Sequence, residues 1–262
     1  MIKYDFAGKV TAVTGGASGI GRAITTSFAE AGSDVAILDI DSEKGNVLAG
    51  ELETKYGIKA SFYNCDISDY KTVKDTADKI IGRFSRIDNL ITAAGYNKKC
   101  DLKDMDVDEW KKAVDVNLNG TFFLIKAFLG QMLKQGKANI IVIGSGAKVT
   151  GSGGGLHYAA TKMAQYGIIK GLSYELLPDG IRANIITPHI IDTPMLRQRY
   201  PDKPEINEKL NKRTPIGRIG DPKDIAGIAM FLASDESGYI CGAEILADGG
   251  GLYYLNPSRQ KK

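Results

Sequence analysis

The sequence predicts an α/β fold: a seven-stranded parallel sheet with helices between its strands, formed by one domain over residues 1–262. Two observations predict it. Short β-rich runs alternate with longer helical patterns along the chain, the pattern of βαβ units. A chain of 262 residues, 43% hydrophobic and 25% charged, can also bury a sizeable core without disulfides or a structural metal.

The elements follow in order. Val10–Thr14 is a short apolar strand ending in a glycine cluster, and 18–31 is a helix stopped by Gly32. The second strand is 35–38, and the helix Ser42–Tyr56 after it is stopped by Gly57. Residues 60–65 form the third strand, and Asp69 caps a helix that runs to Phe84. The fourth strand is 90–94; a long helical stretch, 106–133, carries Gly120 in its middle. A buried strand at 140–143 and a glycine-rich loop at 151–155 precede a helix at about 157–177. The sixth strand is 182–186. Asp221-Pro222 is an N-cap and first-turn pair for a helix to Ala233, and Glu244–Ala247 is the last strand. One irregular insertion, 189–220, holds Pro194, Pro201, Pro204 and Pro215 just after Pro188, where a substrate lid would sit.

Composition excludes several classes. The formal charge of +3, from 34 basic and 31 acidic side chains, lacks the basic excess of a polyanion-binding protein, so no nucleic-acid partner is expected. Cys65, Cys100 and Cys241 lie far apart and form no CxxC, which argues against a disulfide framework or a zinc site and fits a reducing compartment. No stretch approaches the roughly 20 apolar residues of a membrane span. Residues 1–6 lack the apolar core of a secretion signal, so the expectation is a cytoplasmic enzyme.

Thr14-Gly15-Gly16-Ala17-Ser18-Gly19-Ile20-Gly21 joins the first strand to the first helix. Gly15 suits a tight turn, Gly19 lets a pyrophosphate approach the backbone, and Gly21 lets helix and sheet pack closely. The helix N-terminus then offers free N–H groups to phosphates. The glycine spacing is G-x-x-x-G-x-G, not G-x-G-x-x-G. Asp39 ends the second strand, 24 residues after Gly15, where a carboxylate can accept from both hydroxyls of an adenosine ribose and repel a 2′-phosphate. Asp41 and Ser42 are better placed to cap the helix that follows. With Ser18 rather than a basic residue before Gly19, and Ile40 after the acid, NAD is favoured over NADP.

Tyr158-Ala159-Ala160-Thr161-Lys162 puts two functional groups one helical turn apart. A phenol with a pKa near about 10 is a poor base at neutral pH. An adjacent ammonium, or a positively charged nicotinamide, lowers that pKa and lets Tyr158 exchange a proton with a hydroxyl or carbonyl. Ser145, just past the strand at 140–143, lies at the carboxyl edge where open α/β sheets bind ligands and can hold the reacting oxygen.

These motifs resemble the short-chain dehydrogenase/reductase (SDR) family, classical type. The resemblance runs from Gly8-Lys9-Val10 to Asp248-Gly249-Gly250 and takes in 14–21, Asp66, Ala93-Ala94-Gly95, Asn117, Ser145, the Tyr158/Lys162 pair, Pro188 and Thr193. It implies a Rossmann-like doubly wound fold, a homotetramer, and a catalytic set of Asn117, Ser145, Tyr158 and Lys162. Tyr158 is then the general acid/base, Ser145 orients and polarises the carbonyl, and Lys162 holds the nicotinamide ribose and depresses the tyrosine pKa. Asn117 kinks its helix and holds a water that links Lys162 to solvent. The resemblance also implies cofactor contacts from Gly15, Ser18, Gly19, Ile20, Gly21, Asp39, Asp66, Ile67, Ala93, Ala94, Gly95, Tyr158, Lys162, Ile191 and Thr193, and no metal.

Two positions depart from the family pattern. The usual Asn-Ala-Gly reads Ala93-Ala94-Gly95, which removes a side chain that ties neighbouring strands. The usual Pro-Gly reads Pro188-His189, so His189 needs a different backbone angle, points into the substrate pocket, or is a tolerated substitution at its rim. His157 points about 100° away from Tyr158 and reads as structural. Trp110 and the Phe122-Phe123 pair read as core or subunit-interface packing. The lid from Met195 to Gly220 carries seven basic residues against three acids, either a solvated face or a mouth for an anionic or hydroxyl-rich substrate.

The expected function is an NAD-dependent oxidoreductase that interconverts a secondary alcohol and a ketone, acting on a sugar, polyol or hydroxy acid. The alternatives are reduction of 3-oxoacyl thioesters, and a steroid or bile-acid alcohol walled by Leu196, Tyr200 and the Tyr253-Tyr254 pair. A non-catalytic nucleotide sensor is disfavoured by the intact Ser145/Tyr158/Lys162 set.

Overall fold

Five consecutive buried residues, Val10–Thr14, form β1 inside the sheet of a computed structural model that describes residues 3–151 and 153–252. The Tyr253-Tyr254 pair lies outside the described residues. After β1 come α1 (Gly19–Glu30), β2 (Asp34–Asp39), α2 (Ser42–Tyr56), β3 (Ala60–Asn64), α3 (Tyr70–Phe84) and β4 (Asn89–Thr92). Then follow α4 (Val107–Ala113), α5 (Gly120–Gln135), β5 (Ala138–Ile143), α6 (Ala147–Thr150), α7 (Leu156–Leu176) and β6 (Ile181–Pro188). The chain continues through α8 (Pro194–Arg199), α9 (Pro204–Asn211), α10 (Pro222–Ala233) and β7 (Glu244–Ala247). All strand pairs are parallel, in the order β3-β2-β1-β4-β5-β6-β7.

This is the doubly wound, Rossmann-like arrangement. Successive strand residues face opposite sides of the sheet, so Leu90 and Ile140 join one apolar core while Ile91 and Ile141 join the other. The first core packs under Ile80 of α3, Phe128 of α5 and Ile169 of α7; the second under Ile24 and Phe28 of α1, Leu48 of α2 and Ile225 of α10. The order reverses between β1 and β4, whose carboxyl ends open the crevice where such sheets bind ligands.

A polar ladder ties the amino-terminal ends of these strands. Ser33 and Thr11 share a hydrogen bond of 3.0 Å, Asn89 Nδ2 donates to Thr11 Oγ1 at 3.1 Å, and Asn139 Nδ2 donates to Asn89 Oδ1 at 3.0 Å. At the other end the Ala94 N–H donates to Thr14 Oγ1 at 3.3 Å. With these bonds β1, β4 and β5 remain tied although Ala93 supplies no polar side chain.

Three expected elements change. The stretch expected as one helix at 106–133 is α4, a wider π-helical segment (Val114–Asn119) and α5. Asn117 sits in the wide turn, where its carbonyl accepts from the side chains of Thr121 and Gln165. The fourth strand ends at Thr92, because Ala94 turns across to Thr14. The 189–220 insertion folds into α8 and α9, and its ends are clamped by a parallel bridge between Ile191 and Gly220. Trp110 and Phe122 are exposed, not core residues; Phe123 packs on Tyr70 with ring centres 5.2 Å apart. All three cysteines are free, and among the described residues no helix is long and apolar enough to cross a membrane.

Candidate active site

The glycine loop lies at the reversal of strand order, and at Gly15 and Gly21 its backbone leaves no room for side chains. Gly15 adopts φ +64°, and a Cβ there would stand 2.8 Å from the Cα of Ala94. A Cβ on Gly21 would stand 2.1 Å from the carbonyl oxygen of Gly15. The loop is thus folded back on the start of α1, with Ser18 exposed at the N-cap. The Ser18 side chain makes no capping bond, and no acid sits in the first turn. This bare, positive helix end beside a cradle closed to side chains fits a pyrophosphate.

Of the other expected cofactor residues, Asp39, Ala93, Ala94 and Thr193 reach the glycine loop. The Asp39 carboxylate sits at the end of β2 and accepts the N–H of Ala17 through Oδ2 and that of Asp41 through Oδ1, both at 3.1 Å. Asp41, not Asp39, caps α2. Ile20 is half-buried, and Ile67 is buried against Gly120. Asp66 is exposed and takes the backbone and hydroxyl of Ser68 on one oxygen. Ala93, Ala94 and Gly95 form the turn opposite Gly15. Ile191 is buried at the base of the lid. Thr193 caps α8, and its Cγ2 would be 3.4 Å from a Cβ on Gly19, so the insertion starts against the glycine loop.

On the β5 side, Ser145, Tyr158 and Lys162 come together. The Tyr158 hydroxyl hydrogen-bonds the Ser145 side chain, whose Oγ also accepts the Ala147 N–H at 3.2 Å. Tyr158 and Lys162 are 8% and 4% exposed, and Lys162 Nζ lies 5.7 Å from the tyrosine ring centre. Burial pushes the phenol above its ordinary range, while the Ser145 bond pulls it down. Burial also pushes the Lys162 ammonium down to about 8. In the protein alone, therefore, the balance at Tyr158 differs from the expected depression by Lys162: loss of water outweighs the other influences.

Asn117 is fully buried and its amide brackets the main chain of Tyr96, accepting its N–H at 2.7 Å and donating to its carbonyl at 2.9 Å. This fixes the strand-end loop next to Lys162. Sequence reasoning missed Gln165, which links Lys162 to Asn117. A signal for it exists: it lies three residues after Lys162 and seven after Tyr158, a polar residue on the same helical face. The Gln165 amide connects Lys162 to the Asn117 carbonyl, and Thr121 Oγ1 donates to the same oxygen at 2.8 Å.

His157 is buried with Nε2 3.3 Å from Glu109 Oε1, and Glu109 also accepts from Tyr96 and Lys98. This is a packing role behind the site. His189 has no left-handed backbone angle, so the departure from glycine introduces no strain. Its ring packs beside Gly146 and Gly251, and burial with nearby Arg213 pushes its pKa down. In the lid, Arg197 is bound bidentately by Asp192 and Arg218 by Asp224, so part of the basic excess is neutralised in place.

Residues 15–251 match the family model described as Enoyl-(Acyl carrier protein) reductase. The chain is 36% identical over 243 residues to the 3-oxoacyl-(acyl-carrier-protein) reductase of Thermotoga maritima, covering 93% of this chain and 97% of the relative. It is 34% identical over 251 residues to D-threitol dehydrogenase of Mycolicibacterium smegmatis, covering 95% of each. The crystal structure of a protein from Brucella melitensis titled short-chain dehydrogenase/reductase, glucose/ribitol dehydrogenase, aligns with a TM-score of 0.88 at 30% identity, over 96% of this chain and 99% of that one.

Proposed function

The chain belongs to the short-chain dehydrogenase/reductase family, whose members interconvert alcohols and ketones, and from this premise we propose an NAD-dependent enzyme acting on a secondary alcohol of a sugar, polyol or hydroxy acid. The observation that carries the NAD reading is the Asp39 carboxylate, held against the glycine loop by the Ala17 N–H. A fixed anion there leaves no favourable site for a 2′-phosphate. The resemblance to threitol and glucose/ribitol dehydrogenases supports the polyol reading.

In the oxidation direction Tyr158 takes the proton of the substrate hydroxyl at its Oη, and in reduction it returns it. Ser145 donates to the reacting oxygen and is held ready by its bond to Tyr158. Lys162 keeps a positive charge beneath the Tyr158 ring and is within reach of a ribose at the crevice. Gly15, Ser18, Gly19, Ile20, Gly21, Asp39, Asp66, Ile67, Ala93, Ala94, Gly95, Ile191 and Thr193 would line a bound dinucleotide, whose nicotinamide ring would supply the hydride acceptor or donor. Residues 189–220 form the lid, with His189 at its rim. A homotetramer is what the family resemblance implies; exposed Phe122 and Leu133, eleven residues apart on one stripe of α5, suit a subunit contact, and the free cysteines fit the cytoplasm.

Similarity to a 3-oxoacyl-(acyl-carrier-protein) reductase supports a second reading, reduction of 3-oxoacyl thioesters. A panel of polyols, sugar acids, steroids and 3-oxoacyl thioesters, each with NAD and NADP and followed at the reduced-nicotinamide band, decides between them. Turnover of a polyol or sugar with NAD is the expected result. Turnover confined to thioesters with the reduced phosphorylated dinucleotide overturns the proposal.

A further inference from the structure

Gln165 is 1% exposed, with its amide locked at both ends. Its Oε1 accepts from Lys162 Nζ at 3.1 Å. Its Nε2 donates to the Asn117 carbonyl at 2.8 Å and to Thr121 Oγ1 at 2.9 Å. The orientation is forced, because the flipped amide would set an NH2 donor against an ammonium, which has donors only. Lys162 Nζ also donates to the Ile143 carbonyl at 2.8 Å. Both named acceptors of the ammonium are neutral.

The groups around Lys162 leave Gln165 a distinct task. Tyr158 faces it from α7, Ile143 from the sheet and Gly95 from the turn after β4, while Asn117 and Thr121 meet it through the Gln165 amide. Tyr158 is the one titratable side chain among these. Glu109 of α4 is committed to Lys98, Tyr96 and His157, and among the described residues no carboxylate acts on Lys162. A buried ammonium without an anion depends on oriented dipoles to remain charged.

We propose that Gln165 is a positioning residue for proton transfer: its amide ties Lys162 to the Asn117 carbonyl, keeps the ammonium charged under Tyr158, and so sets the pH range in which Tyr158 works. The proposal rests on the alcohol/ketone reading of the site. Since the Asn117 carbonyl is engaged by Gln165 and Thr121, the link from Lys162 runs through an amide fixed to α7.

The test compares wild type with Gln165→Met, which keeps volume but loses the strong acceptor, and Gln165→Glu, which places an anion on the ammonium. Lysine labelled with carbon-13 at Cε is titrated by NMR in the protein without dinucleotide, with the Lys162 signal assigned by its loss in Lys162→Met. The Lys162 midpoint is expected to fall in Gln165→Met and to rise in Gln165→Glu, a reversal of sign that a general loosening of the fold does not produce. In Gln165→Met, kcat/KM for alcohol oxidation falls by about tenfold at pH 7, and its ascending limb moves to higher pH. Unmoved lysine midpoints in both variants overturn the proposal, as does a uniform loss of rate with an unmoved limb. Absence of dinucleotide-linked turnover in the wild type would instead sink the functional reading, while the lysine titration would still report on Gln165.

Discussion

The Oδ2 atom of Asp39 lies 3.1 Å from the backbone nitrogen of Ala17, so the acid at the end of β2 is fastened to the glycine loop that precedes α1. On the proposed NAD reading, selectivity and loop shape are thereby coupled. Asp39→Ala should lower the NAD-to-NADP ratio of kcat/KM by roughly tenfold to a hundredfold, about 1–3 kcal/mol for one charged, hydrogen-bonded group. Because Ala17 loses its acceptor, affinity for NAD should fall as that for NADP rises. Steady-state kinetics with both dinucleotides measure this, and an unchanged ratio refutes the assignment.

Tyr158 and Ser145 share one hydrogen bond in a nearly dry site. Removing the phenol oxygen while keeping the ring is the direct probe: Tyr158→Phe should reduce kcat by about 10²–10⁴-fold, the range for loss of a positioned acid/base. Ser145→Ala should also lower kcat, with a smaller loss, since Tyr158 keeps its proton-transfer role. Fluorescence titration with reduced dinucleotide should show near-normal binding in both. Turnover surviving in Tyr158→Phe would move the acid/base role elsewhere.

Much of this arrangement was legible in the sequence. Each strand could be found because β-rich runs end in glycine or an N-cap, and the glycine loop, Asp39, Ser145, Tyr158 and Lys162 stood at spacings that fix their relative places. The π turn at Val114–Asn119 was not legible, because the Asn117 carbonyl there is met by Gln165, which comes from α7 and is distant in sequence. The lid helices were hidden by proline, read as irregularity although Pro194 and Pro204 each open a helix. Counting charges over 195–220 could not show that Arg197 and Arg218 pair with Asp192 and Asp224, which lie outside that segment.

Lys162 makes stability depend on pH. Burial holds its ammonium at about 8, below the ordinary 10.5, so between those values the unfolded chain binds more protons than the folded one. Stability contributed through this group therefore rises with pH across that window, and the cost of burying the charge is fully felt below about 8. Relative to Lys162→Met, the wild type should gain about 2 kcal/mol between pH 7 and 9.5, whatever the offset from lost hydrogen bonds. Urea unfolding of both proteins at several pH values gives the difference, and a flat difference contradicts a buried, depressed lysine.

Two glycines in helices should respond with opposite signs. A Cβ on Gly21 would stand 2.1 Å from the Gly15 carbonyl oxygen, which belongs to the backbone and has nowhere to go. Gly21→Ala should cost about 3 kcal/mol and abolish dinucleotide binding by opening the loop. Gly50, inside α2, has nothing within 4 Å of a new Cβ. Gly50→Ala should stabilise by about 0.5–1 kcal/mol by narrowing the unfolded ensemble. Thermal melts with and without NAD separate the two, and equal melting shifts would mean the loop is not folded as described.

His189 tests whether the departure from the family's glycine is chemical or steric. Its backbone is free of strain, its ring lies beside Gly146 next to Ser145, and burial and Arg213 hold its pKa below the ordinary value. The imidazolium form is thereby disfavoured, which weighs against His189 as the acid of the reaction. His189→Gly should leave the ascending limb of the pH profile in place while lowering kcat/KM by about threefold to tenfold, since the Ser145 turn loses the ring packed against it. The melting temperature should fall as well, because glycine adds backbone freedom to the unfolded chain and removes a packed side chain. A limb that moves in His189→Gly would assign the imidazole a share in proton transfer. An unchanged rate with every substrate would leave it at the rim with no part in recognition.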